Sequence, residues 1–69
     1  MPKLHSSEEI IKTLQQNGFV FISQRGSHLK FRKFSKNIIT VIVPAGRKEV
    51  PIGTFKSILR QSKLNKEDF

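Results

Sequence analysis

The chain has 69 residues, the length of one small domain, and we predict a single domain over residues 1–69. A chain this short buries only about 60% of the surface that its unfolded form exposes, which argues against an enclosed active site. It carries 13 Lys and Arg residues against 5 Asp and Glu, a net charge of +8. This charge favours nucleic acid as a partner over the simpler explanation that basic residues maintain solubility.

Several kinds of site are absent from the sequence. There is no cysteine, which excludes disulfides, thiolate nucleophiles and cysteine metal ligands. His5 and His28 lie far apart without partners at metal-ligand spacing, so we expect neither a metal nor a small-molecule cofactor. No apolar run approaches the roughly 20 residues needed to span a membrane. The N-terminal stretch also lacks a signal peptide, so we expect a cytoplasmic protein without a membrane partner.

The first element is predicted to be a helix over residues 7–17. Ser6 and Glu9 have the spacing of a capping box, in which each side chain binds a backbone donor in the first turn. Gly18 supplies the left-handed residue that commonly ends a helix. One apolar face is formed by Ile10, Ile11 and Leu14.

Three strands are predicted to follow, separated by turns rich in Gly, Ser and Asn. They cover residues 19–24, 28–34 and 38–44. The second strand, "HLKFRKF", alternates between polar and apolar residues and is predicted to be half-buried. The third, "IITVIVP", is the most apolar and is predicted to be the central strand.

A second helix is predicted over residues 52–64, with Pro51 in its first turn. Its apolar stripe consists of Ile52, Phe55, Ile58 and Leu59. Residues 65–69 are predicted to fray, with the alternative that Phe69 folds back. The element order is α-β-β-β-α. This predicts an α+β fold in which two helices cover one face of a three-stranded antiparallel sheet and leave the other face open.

The open face is predicted to be basic. Because side chains alternate along a strand, His28, Lys30 and Arg32 lie on the same side, away from the helices. Arg25 stands beside them in a turn that Gly26 and Ser27 complete. Two further candidates for phosphate binding, Arg47 and Lys48, lie in the loop before the second helix.

His28 has two interpretations. A lone strand histidine is more often a solvated surface residue. Alternatively, its neutral imidazole takes the proton from a ribose 2′-hydroxyl, which then attacks the adjacent phosphate. Lys30 and Arg32 would stabilise the negative charge of that transition state, and the reaction would need no metal.

The chain closely resembles the HicA toxins, which are mRNA interferases of type II toxin–antitoxin pairs. The resemblance rests on Gly-Ser-His at 26–28 followed by Phe31, on "ITVIVP", and on "EVPIGTFKSILRQ". It implies a fold like the double-stranded RNA-binding domain and a metal-independent endoribonuclease with His28 as the catalytic residue. It also implies a HicB-type antitoxin that covers His28 and the basic face.

Two departures from the family pattern are visible. Many relatives carry a second histidine after the Val-Pro that ends the third strand, where this chain has Ala45 and Gly46. Relatives also often have glycine after the second helix, where this chain has Lys63. Two other functions stay open: a non-catalytic binding module of the double-stranded-RNA type, and a surface that serves chiefly as a protein interface.

Overall fold

A computed structural model describes residues 3–69, so the first two residues of the predicted domain lie outside it. The elements are α1 (Ser7–Gln16), β1 (Val20–Arg25), β2 (His28–Phe34), β3 (Ile38–Pro44), α2 (Ile52–Ser62) and a 3₁₀ turn (Lys66–Asp68). The predicted α+β class and α-β-β-β-α order are confirmed. The topology is compatible with the double-stranded RNA-binding-domain-like fold. Within residues 3–69, no helix has the length and apolar character needed to cross a bilayer.

Helix α1 begins at the predicted cap. The Ser6 N–H donates to Glu9 Oε1 at 2.9 Å, and the Glu9 N–H donates to Ser6 Oγ at 3.1 Å. Both bonds of the capping box are therefore present. The helix ends at Gln16, one residue before the predicted end, and Gly18 follows with the expected positive φ of 90°.

The sheet has the antiparallel order β1-β2-β3, so β2 is the central strand. The prediction that β3 is central is wrong. β3 is apolar for another reason: α2 packs against it, and the Ile42 N–H donates to Gln61 Oε1 at 3.0 Å. A helix thus protects one edge of the sheet, which explains how so apolar a strand lies outside the centre.

The register of the sheet places the core on one face only. Phe31 of β2 pairs with Val41 of β3, and both side chains are buried. Strand β1 starts and ends one residue later than predicted. It also contains a β-bulge between Phe21 and Ser23, which changes its pairing with β2 by one residue.

One hydrophobic core joins both helices to the same face of the sheet, as predicted. Its buried members are Ile10, Leu14, Phe19, Phe31, Val41, Val43, Val50, Phe55 and Ile58. Within residues 3–69, no helix packs on the opposite face of the sheet, because all the buried apolar residues of the helices belong to this single cluster.

The C-terminal residues pack against the edge of this core. Helix α2 ends at Ser62, two residues before the predicted end, and Lys63 takes a left-handed conformation with φ of 61°. In the segment predicted to fray, the 3₁₀ turn brings the Phe69 ring to 5.3 Å from the Phe55 ring, measured between centroids. The His5 ring lies 4.9 Å from the Phe55 ring, measured between centroids, so His5 belongs to this aromatic group.

Candidate nucleic-acid interface

His28 is exposed at the start of the central strand. Its cross-strand partners are Arg25 on β1 and Pro44 on β3. Phe31 points into the core with 2% of its surface exposed. Because successive side chains of a strand point to opposite faces, His28, Lys30 and Arg32 lie on the open face.

The turn before His28 is held in place by three features. Gly26 has a φ of 58°, a conformation that glycine adopts without the steric cost of a side chain. Gln24 Nε2 donates to the Gly26 carbonyl at 3.0 Å. The Ala45 N–H donates to the Ser27 carbonyl at 2.7 Å, which ties the turn to the loop after β3. The backbone that presents His28 is therefore fixed from both neighbouring strands.

Two shallow clefts meet at His28. The first lies over the β1 side of the sheet and contains Arg25 and Lys30. The second lies between β3 and α2 and contains Arg47. The other side chains of the second cleft are polar groups and prolines, namely Pro44, Pro51, Thr54, Ser57 and Gln61, with Ile42 shared by both clefts. The imidazole therefore has cationic side chains on either side.

The remaining predicted residues, Arg32 and Lys48, do not line the two clefts at His28. Arg32 is on the same face, where its Nε donates to Thr40 Oγ1 at 3.2 Å, so its guanidinium is held between β2 and β3. Lys48 lies in a third depression, together with Glu8 and Arg47, and does not line either cleft at His28. The structure thus brings Arg25, Lys30 and Arg47 together with His28, places Arg32 along the same strand, and leaves Lys48 apart.

Ser7 supports the site and was missed by the sequence analysis. It is 1% exposed, and its Oγ donates to the Pro44 carbonyl at 2.6 Å and accepts from the Arg47 N–H at 3.0 Å. Its own N–H donates to the Arg47 carbonyl at 2.9 Å. Helix α1 thereby anchors the loop that carries Arg47. The sequence feature that could have indicated this role is the pair of adjacent serines at the helix start, because only Ser6 is needed for the cap.

Helix α2 adds a polar stripe to the second cleft. Thr54, Ser57 and Gln61 have the spacing of one helix face and line the cleft together. Pro51 provides no side-chain cap, and it lines the cleft with Thr54 at the N-terminal, positive end of the helix dipole. The dipole therefore adds to the positive potential from Arg47.

The chemistry available at His28 is proton transfer beside an anion. An imidazole can both accept and donate a proton, and the surrounding cations and helix dipole favour a negatively charged ligand. Within residues 3–69, no group of three His, Cys, Asp or Glu side chains has an arrangement that could hold a metal ion.

A comparison with known protein families gave one match. A family model described as the HicA toxin of bacterial toxin–antitoxin systems matches residues 7–64 of the 69-residue chain. The match defines the chain as a toxin of such a system, which implies an antitoxin partner. The protein belongs to the HicA toxin family. A search of curated proteins found no match.

Proposed function

We propose that this toxin is a metal-independent endoribonuclease that cleaves mRNA, with His28 as its general acid and base. The observation that carries the proposal is the position of His28. It is exposed at the junction of two clefts that contain Arg25, Lys30 and Arg47. A proton-transfer group surrounded by phosphate-binding groups is what cleavage of an RNA backbone requires.

In the proposed reaction, the neutral His28 imidazole accepts the proton of a ribose 2′-hydroxyl. The 2′-oxygen attacks the adjacent phosphorus, the bond to the 5′-oxygen breaks, and a 2′,3′-cyclic phosphate forms. The leaving 5′-oxygen then takes a proton from the imidazolium or from water, so no cofactor is required.

The cations have distinct positions in this reaction. Lys30 and Arg25 lie on one side of His28 and bind the scissile phosphate or its neighbour. Arg47 lies on the other side, near the positive end of α2, and stabilises the negative charge on the leaving oxygen. Arg32 and Lys48 bind phosphates farther along the RNA, outside the clefts at His28.

Arg47 also bears on the missing second histidine. The Ala45 N–H is hydrogen-bonded to the carbonyl of Ser27, the residue before His28. The segment where relatives carry the second histidine therefore lies next to His28. In this chain the charged side chain of that loop that shares the second cleft with His28 is Arg47. Arginine stays protonated and cannot transfer a proton at neutral pH. We therefore assign it charge stabilisation and leave proton transfer to His28 and water.

The same face is proposed to bind a HicB-type antitoxin. Acidic side chains that meet Lys30 and Arg32 would cover His28 and exclude RNA by occupying its phosphate sites. Antitoxin and RNA would then compete for one surface. The inhibition by the antitoxin should weaken as the salt concentration rises.

A second candidate function is a module of the double-stranded-RNA type that binds without cutting. The open basic face and the topology support it as well. A pure protein interface is a third candidate. It predicts weak RNA binding by the isolated chain, without the steep salt dependence expected of several phosphate contacts.

The deciding experiment incubates the purified chain with a long single-stranded RNA in EDTA and follows binding and cleavage together. His28→Ala should lose cleavage and keep binding. His5→Ala is the matched control, because His5 packs on Phe55, away from the polar stripe of α2 that faces His28. Binding without cleavage by the wild type would favour the binding module. Equal loss of cleavage in both variants would refute the assignment to His28.

A further inference from the structure

We propose that the open face has a base-stacking site at Phe34, and that the substrate is therefore single-stranded RNA. This inference rests on the proposed function and specifies its substrate class. The site consists of Phe34 and its two apolar neighbours on the open face, Val20 and Ile38. We call these three residues the apolar end.

The apolar end is exposed to solvent on the same face as His28. Phe34 is 63% exposed, Ile38 64% and Val20 48%. Phe34 and Ile38 are directly paired across β2 and β3, and Val20 is paired with Arg32 on β2. Because Phe34 is six residues from His28 on one strand, the alternation of side chains places both on the open face.

This surface has no structural role in the described chain. The apolar residues of the core lie on the opposite face of the sheet, and none of the three contributes to that core. An aromatic ring with most of its surface in water, beside two exposed aliphatic side chains, is characteristic of a binding surface.

The charges around the apolar end favour RNA as its occupant. Arg32 precedes Phe34 on the same face, and Lys36 lies in the turn that joins β2 to β3. A second copy of this chain would bring another net charge of +8 to the surface and would be repelled. An RNA strand offers both required groups, a phosphate for Arg32 and a flat base for the ring.

The geometry selects an unpaired base. In a duplex the bases are stacked on one another and present only their edges in the grooves. A ring standing on a sheet can therefore stack only on a base that has left the helix. Phe34 lies about 20 Å from His28 along β2, at 3.3 Å per residue. The stacked base is thus several nucleotides from the scissile phosphate, and the backbone between them crosses Lys30 and Arg32.

Phe21 provides a matched control within the same sheet. It is also exposed, at 53%, but it lies on the helix side of β1, where its ring meets the Phe31 ring edge-on at 5.8 Å between centroids. Phe21 and Phe34 thus share residue type and comparable exposure and differ in the face they occupy. Only Phe34 should contact RNA.

The test measures binding of a fluorescently labelled single-stranded RNA by anisotropy, in the full chain carrying His28→Ala so that the RNA stays intact. Adding Phe34→Ala should weaken binding by roughly 5- to 150-fold, the range reported by alanine substitution of stacking residues. Adding Phe34→Tyr should keep the affinity, because the ring is retained, and adding Phe21→Ala should also keep it. A duplex of the same sequence should bind more weakly than the single strand and should not respond to Phe34→Ala.

The outcomes separate this inference from the proposed function. If the wild type cleaves RNA but Phe34→Ala leaves single-strand affinity unchanged, the stacking site is refuted and the nuclease stands. If the wild type neither binds nor cleaves RNA, the proposed function fails and the inference fails with it. If Phe34→Ala weakens binding of the co-expressed antitoxin and not of RNA, the apolar end is part of the protein interface and the inference is overturned.

Discussion

The replacement Ser7→Ala tests how helix α1 supports the loop that carries Arg47. The substitution removes one oxygen atom and keeps the helix backbone, since alanine has the highest helix propensity. It also removes two hydrogen bonds of the Ser7 hydroxyl, at 2.6 Å to the Pro44 carbonyl and at 3.0 Å from the Arg47 N–H. Both bonds join residues that are far apart in sequence, so nothing local can replace them.

The expected cost is about 1–3 kcal/mol, because leaving a buried donor or acceptor unsatisfied costs that much. Domains have roughly 0.05–0.15 kcal/mol of stability per residue, so a chain of this size has about 3–10 kcal/mol in total. Ser7→Ala should therefore remove a substantial fraction of the stability. At about 4–8 °C per kcal/mol for a small domain, the melting temperature should fall visibly.

Urea unfolding followed by circular dichroism measures the change. The midpoint should move to lower urea while the slope stays constant, because the surface exposed on unfolding is nearly the same. Ser35→Ala is the control, since its hydroxyl is exposed and bonds only to Asn37 within the same turn, at 2.8 Å. Equal stability of Ser7→Ala and Ser35→Ala would refute the view that the Ser7 hydroxyl stabilises this loop.

Two further predictions concern the ends of the helices. Lys63 has a φ of 61°, a conformation that favours glycine, so Lys63→Gly should raise the stability by about 1 kcal/mol. The control Lys12→Gly, inside α1, should lower the stability by about as much. A lower melting temperature of Lys63→Gly would contradict this prediction. The pKa of the Glu9 carboxyl is lowered below its ordinary value of 4.5, chiefly by the hydrogen bond from the Ser6 N–H and next by that of the Ser6 hydroxyl. The folded chain thus gains stability from ionised Glu9 above that value and loses it as the pH falls through the lowered pKa. The stability advantage over Glu9→Gln should therefore shrink in acid unfolding curves, and a constant difference would refute it.

The local features of the fold were predictable because they depend on neighbouring residues. The capping box of α1 involves two residues three positions apart, and the alternation of β2 follows from the pleat of a strand. The same alternation places His28, Lys30 and Arg32 on one face. Short-range patterns were thus sufficient for the order of the elements and for the identity of the basic strand.

The errors arose where distant segments meet. β3 was predicted to be central because it is apolar, but α2 packs against it and covers its edge, so burial by a helix produced the same composition as burial by strands. The bulge in β1 was not predicted either, and α2 stops short of its predicted end at the left-handed residue Lys63.

By itself, the sequence determined the element order, the capped start of α1 and a strand that carries a histidine among cations. The tertiary structure alone decided that Arg47 faces the same cleft region as His28, and that Ser7 holds the Arg47 loop across separations of 37 and 40 residues. It also decided that Phe34 stands in water on the face of His28. The physical reason is that helix caps and strand alternation follow from bonds within a few residues, whereas a cleft and a buried hydroxyl require packing between segments that meet only when the whole chain has folded.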